Sequence, residues 1–277
     1  MKLLVTLTTF VVLGGVVCGG VAATADAATH DVSPSVSSNW AGYAISDPAT
    51  IAGTVPAQPL AFSDVTATWV QPKANCAGVK SAQYSAFWVG LGGFATSSTA
   101  LEQVGTESDC TDAGTPSYFA WYEIVPAPSV KINLKINPGD TVTTAVVVNG
   151  SDVLVQVKDR TRGTNFIKHL TAANPDVSSA EWIAEAPSEC GTACRVLPLA
   201  NFGSVSFSRL AAVANTHPGT LTDSAWSALP IQLVPNSRYH SFFGAPGEAS
   251  KAGAAPGSAS PDGRTFTVSW LADATLN

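Results

Sequence analysis

Charge is what this chain has least of. Its 277 residues include 14 Lys plus Arg and 20 Asp plus Glu, so charged side chains make up 12%, against roughly 25% in an ordinary soluble protein. No basic run occurs anywhere, and the formal net charge of −6 argues against a nucleic-acid partner. Hydrophobic residues still reach 45%, so the chain does not lack material for a core. Few carboxylates and few bases also mean little net charge gained on acidification, and little self-repulsion in acid. Several catalytic signatures are missing: H-E-x-x-H, G-x-S-x-G, a P-loop, a strand followed by G-x-G-x-x-G, and the Asp-Thr-Gly or Asp-Ser-Gly pairs of pepsin-like enzymes. The four histidines, at 30, 169, 217 and 240, share no ligand spacing. No metal and no cofactor is expected.

Long apolar runs are also absent after the first few dozen residues. Lys2, an apolar stretch over residues 3–17 and the A-x-A sites at Ala23-Thr24-Ala25 and Ala25-Asp26-Ala27 have the form of a secretory signal. The stretch is short for a bilayer span of about 20 residues, so cleavage is favoured over anchoring. The expected organisation is a signal at 1–27, a short segment at 28–36 and one domain at 37–277, exported and free of the membrane. Nothing demands more than a monomer. Removing Cys18 leaves Cys76, Cys110, Cys190 and Cys194, an even count that favours two disulfides over zinc. Cys190 and Cys194 enclose only Gly-Thr-Ala and can close a small loop; Cys76 and Cys110 then pair by elimination.

What is there, from Ser38 onward, is period two. Residues 65–70, 86–91, 119–125, 130–136, 180–185, 203–208 and 264–270 alternate and are rich in aromatic and β-branched side chains. Residues 141–148 and 153–158 flank Asn149-Gly150, which reads as a hairpin turn. No amphipathic helix or internal repeat stands out. Such density of short strands predicts an all-β fold, an antiparallel β-sandwich of two packed sheets. The Gly/Ala/Pro/Ser stretch at 244–263 is expected to be a flexible loop inside that domain.

Alternation also sorts faces. In 180–185, Ala180, Trp182 and Ala184 share one face and Glu181, Ile183 and Glu185 the other. Trp121 shares a face with Glu123. With Phe87, Val89 and Leu91 facing the core, Trp88, Gly90 and Gly92 turn away from it. Two Trp, three Glu and two Gly can therefore line one shared surface, with aromatic walls and room beside the glycines. Taken alone, that pattern fits a solvent-facing sheet equally well.

Blocks in order then carry a resemblance: Ser38-Asn-Trp-Ala-Gly-Tyr43, Thr68-Trp-Val-Gln-Pro72, Trp88-Val-Gly-Leu-Gly-Gly93, Leu101-Glu-Gln-Val-Gly105, Ala120-Trp-Tyr-Glu-Ile-Val-Pro126, Ala180-Glu-Trp-Ile-Ala-Glu-Ala-Pro187 and Leu199-Ala-Asn-Phe-Gly-Ser-Val-Ser-Phe207. This succession resembles the glutamic peptidases, or eqolisins. The resemblance implies a lectin-like (concanavalin-type) sandwich and a secreted, pepstatin-insensitive acid endopeptidase acting on proteins or peptides through a Gln and a Glu. By motif those are Gln103 and Glu185, with Glu181 as the fallback acid. Trp40, Trp88, Trp121, Glu123 and Glu181 then fall to substrate binding. One departure concerns Gly92, where the family often has Asp; a carboxylate near the groove is thereby missing. The segment at 28–36 is also too short for a long inhibitory propeptide.

In the mechanism this implies, Glu185 takes a proton from the attacking water and returns it to the leaving amine, while the Gln103 amide supports the oxyanion. Glu102 falls opposite Gln103, on the face of Val104, which suits an edge or loop position. Two other readings are a glycoside hydrolase and a lectin-like binding module. Glu181 and Glu185 sit four residues apart on one strand, ~13 Å, which is too far for a retaining carboxylate pair.

Overall fold

The computed structural model describes residues 35–190, 194–235 and 252–272. The predicted signal and the first part of the 244–263 stretch lie outside them. The chain begins with β1 (Ser35–Ser37), β2 (Trp40–Ser46), the single-turn α1 (Pro48–Ile51), β3 (Phe62–Val70), β4 (Ala86–Gly92), β5 (Leu101–Cys110), β6 (Pro116–Ile124) and β7 (Val130–Ile132). It continues through β8 (Thr141–Asn149), β9 (Asp152–Asp159), β10 (Thr164–Thr171), β11 (Ser179–Glu185), β12 (Ser188–Cys190) and β13 (Cys194–Val196). The last strands are β14 (Ser204–Ala214), β15 (His217–Gly219), β16 (Ser227–Leu233), β17 (Gly253–Pro256) and β18 (Thr265–Leu271).

The all-β expectation holds, with one refinement. The two layers belong to one hydrogen-bonded path, β10-β9-β8-β3-β14-β18-β17-β16-β2-β11-β4-β5-β6-β7, rather than to two separate sheets. Short β17 pairs with both β16 and β18 and joins the layers. It lies inside the stretch read as a loop: Gly, Ala and Pro carry no alternation, but their backbone pairs all the same. The path folds over so that β3, β8 and β9 pack on β4, β5 and β11. Between the layers sits the main core, with Val142, Val146, Val155, Phe207 and Phe266 from one side and Phe87, Val89, Leu91, Val104 and Trp182 from the other.

A second, smaller apolar cluster lies on the other face of the β2-β11-β4-β5-β6 half, around Trp40, Trp88, Trp121 and Ile183. Both faces of this half are therefore covered, and β2, β4, β5 and β11 are buried along their whole length. The hairpin is displaced by one residue from its expected centre. Asn149 pairs with Asp152, so the turn is Gly150–Ser151, with Gly150 at φ +60 as its first central residue, where a two-residue turn accepts glycine. Both expected disulfides are present, Cys76–Cys110 and Cys190–Cys194.

Candidate active site

Strand register assembles the site. Five neighbouring strands place Trp40, Glu185, Ala86, Glu107 and Phe119 in one cross-strand row. The next row on the same face is Gly42, Ile183, Trp88, Gly105 and Trp121; the third is Ala44, Glu181, Gly90, Gln103 and Glu123. The face sorting made from alternation is thus reproduced. Gly105 is required for close approach, since a Cβ there would lie 2.6 Å from the Trp88 Cβ and 2.2 Å from the Phe87 carbonyl oxygen. Trp88 can therefore reach Glu185 in one row with its Nε1 and Gly90 in the other with its ring edge.

A cleft of about 500 Å³ opens over this floor, lined by Gln103, Glu107, Trp121, Glu123 and Glu185 and walled by residues 125–129 and the β12–β13 hairpin. Glu185 is held on both oxygens: Asn39 Nδ2 donates to Oε1 at 2.9 Å and Trp88 Nε1 to Oε2 at 2.7 Å. Burial pushes its carboxyl up to about 8, with the charge of Glu123 adding to the push, while donors on Trp88, Asn39 and Trp40 pull it back. Gln103 donates Nε2–H to Glu123 at 2.6 Å. Its Oε1 has no partner, and the second amide proton of Nε2 remains available. Burial also raises Glu123, against the hydrogen bond from Gln103.

Not every expected site residue reaches the cleft. Trp121 and Glu123 line it together with Gln103 and Glu185. Trp88 and Trp40 lie beneath, packed edge to face with ring centroids 5.0 Å apart. They brace the carboxylate of Glu185 and do not wall the groove. Glu181 is enclosed completely, and burial holds its carboxyl well above the ordinary range. Glu102 is likewise fully buried, which overturns the edge-or-loop expectation. β5 is an interior strand between β4 and β6, and burial, followed by the charge of Asp176, lifts Glu102 to about 8.

Beside Gly92 lies a carboxylate from another part of the chain, outside the cleft lining. Gly92 has φ +83, and a Cβ there would sit 2.5 Å from the Cβ of Asp176. Asp176, from the β10–β11 connection, accepts from the Gly93 N–H at 3.2 Å and from the Ser98 hydroxyl. Two contributors have no place in the expectations drawn from the sequence: Asn39, which bonds Glu185, and Glu107, which lines the cleft. Only Glu107 carries a usable signal, being one step of alternation beyond Gly105 and two beyond Gln103. Burial drives Glu107 strongly upward, and its proton bonds to Asp109, whose charge adds to the effect. Among the described residues, no set of three His, Cys, Asp or Glu is placed to hold a metal ion.

The model of the peptidase A4 family matches residues 38–237. The chain belongs to that family. The scytalido-glutamic peptidase, solved with a transition-state analogue inhibitor, is 25% identical with a TM-score of 0.62, over 84% of this chain and 98% of that one. SCP-B, an eqolisin solved with the tripeptide Ala-Ile-His, gives 24% identity and a TM-score of 0.59 over the same shares. Aspergilloglutamic peptidase from Aspergillus niger gives 24% and 0.50, over 68% of this chain and 99% of that one. No curated protein sequence matches. This A4 peptidase is accordingly a peptide-bond hydrolase, which replaces the glycosidase and lectin readings.

Proposed function

We propose that this A4 peptidase is a secreted endopeptidase of acidic surroundings, in which Glu185 activates water and Gln103 supports the oxyanion. The observation that carries the reading is the pairing within one cleft of a carboxyl held on both oxygens and an amide with a spare N–H. Ionised Glu185 takes a proton from water as the water attacks the scissile carbonyl. The spare Gln103 N–H receives the oxygen that becomes negative, and Glu185 then returns its proton to the departing amine.

Two limbs bracket the working pH. Glu185 must be ionised, which sets the acidic limb; hydrogen bonds from its donors, and from the attacking water, favour the charged form. Charge accumulating on Glu123, Glu107 and Asp109 sets the upper limb, because several anions in one apolar cleft repel each other. Acid keeps those neighbours neutral and removes the Glu123 contribution to the rise of Glu185; burial, the larger cause, remains, and the donors on Trp88, Asn39 and Trp40 together with the attacking water must outweigh it for the base to ionise in acid. Two disulfides support an oxidising, extracellular location.

Digestion of denatured casein across pH 2 to 7, with pepstatin present, tests the reading. Wild type is expected to cleave, Glu185→Gln and Gln103→Ala to lose cleavage, and Glu181→Gln to keep it. Cleavage that survives Glu185→Gln in folded protein would remove Glu185 from the mechanism.

A further inference from the structure

Glu185 receives its Oε1 hydrogen bond from a side chain whose own orientation is dictated. Asn39 stands just before β2 and is completely buried, as is Ser37 beside it. The Ser37 hydroxyl oxygen accepts the backbone N–H of Asn39 at 3.3 Å and of Trp40 at 3.0 Å. The same hydroxyl donates to Asn39 Oδ1 at 3.1 Å. The amide therefore has one allowed orientation. Reversed, it would aim Nδ2 at a hydroxyl already receiving two N–H groups, and Oδ1 at the carboxylate of Glu185. The backbone fixes the same geometry, since the Asn39 carbonyl accepts the N–H of Ala186, the residue after Glu185, at 2.8 Å.

We infer that Asn39 is a positioning residue: Ser37 locks its amide, and the locked N–H favours the ionised form of Glu185 and orients it toward the cleft. The inference rests on Glu185 being the base. The titratable groups facing Glu185 are Glu107 on β5 and Glu123 on β6, with Asp109 behind Glu107. On β2 and β4 its register partners are Trp40 and Ala86, and Trp88 donates to it. Asn39 and the two indoles are thus the side chains that favour the charged form, against neighbours that oppose it.

Trp88 supplies a reporter that needs no turnover. Its indole N–H donates to Glu185 Oε2, so its ¹⁵N–¹H resonance follows the ionisation of that carboxyl; Trp88→Phe assigns the peak. In Asn39→Leu, of similar volume but without a donor, the midpoint of this titration is expected to rise by about one to two pH units, the worth of a hydrogen bond to a charged group. The acidic limb of kcat/KM is expected to rise with it. Ser37→Ala frees the amide to turn and should move both in the same direction by less; it serves if Asn39→Leu does not fold. A midpoint unchanged from wild type in the folded variants overturns the inference. Failure of the wild type to cleave at any pH would instead strike the Gln–Glu reading, and the indole titration would still decide the role of Asn39 by itself.

Discussion

β5 and the β8–β9 hairpin share a pleated backbone and follow opposite rules. Along β8 and β9, buried positions alternate with half-exposed or exposed ones, and the inward side chains are mostly valines. Every position of β5 is buried, on both faces, and Glu102, Gln103, Thr106, Glu107, Ser108 and Asp109 are among them. The hairpin has one face on the core and one toward solvent, so its sequence needs only to alternate. β5 has the core on one side and the cleft floor on the other. Its polar groups are nearly all removed from bulk water, Gln103 and Glu107 meeting it only at the cleft floor, and burial raises its carboxyls above their ordinary range. One strand supplies stability in the form any sheet uses; the other holds ionisable groups in an apolar setting where their protons can be put to use.

The largest effect that would sharpen this contrast is chemical. Gln103→Ala should lower kcat by about 10²–10³, equivalent to ~3–4 kcal/mol of transition-state stabilisation, with the melting temperature little changed. Any comparable loss of kcat from an outward hairpin substitution would dissolve the division of labour.

A pH effect of several kcal/mol should follow from the buried carboxyls. Glu102 holds its proton up to about 8 in the folded chain, against 4.5 for the exposed group. Its contribution to stability is therefore complete below about pH 4.5 and is lost as the pH rises toward 8, at about 1.4 kcal/mol per unit. Glu107 and Glu181 shift in the same direction. Melting temperature should fall steadily from pH 4 to 8, and Glu102→Gln, which stays neutral, should make the decline shallower. A flat melting profile in wild type would mean these groups are not buried as neutral acids.

The same contrast decides what was legible in the sequence. β3, β4, β6, β8, β9, β11, β14 and β18 stand out because a buried face alternates with a different one, and the faces of Trp88, Trp121, Glu123 and Glu185 follow directly. β5 does not stand out: Leu-Glu-Gln-Val-Gly-Thr-Glu-Ser-Asp-Cys has no apolar face, because it carries buried polar side chains on both. β2, wholly buried, carries too little polarity to alternate, and the edge strand β10 carries too much. Motif resemblance singles out Gln103 where periodicity does not. The tie from Asn39 to Glu185 spans 146 residues, and that from Asp176 to Gly93 spans 83. Neither follows any local rule, so neither was visible before the strands were paired.

Two substitutions of similar cost separate stability from activity. Gly105→Ala forces a methyl group against the Trp88 Cβ and the Phe87 carbonyl; overpacking of this kind costs about 1–3 kcal/mol. Val155→Ala on β9 leaves a void in the main core and should cost about 2 kcal/mol in lost methyl burial and cavity. Both should lower the denaturant midpoint. Only Gly105→Ala should also lower kcat/KM per folded molecule, because it displaces the indole that holds Glu185. Equal activity in the two would show that Trp88 does not need its present position.

The smallest effect is the strictest control. Lys158 on β9 is exposed and lies between buried Val157 and buried Asp159. Lys158→Thr keeps a strand-favouring residue on the outer face and should change stability by less than about 0.5 kcal/mol, with kcat/KM unaltered. Urea denaturation of the two proteins measures it directly. A loss above about 1 kcal/mol would mean that the outer face of the hairpin is covered in solution. The hairpin would then be a two-sided strand pair like β5, and alternation would no longer explain why it was the easier of the two to read.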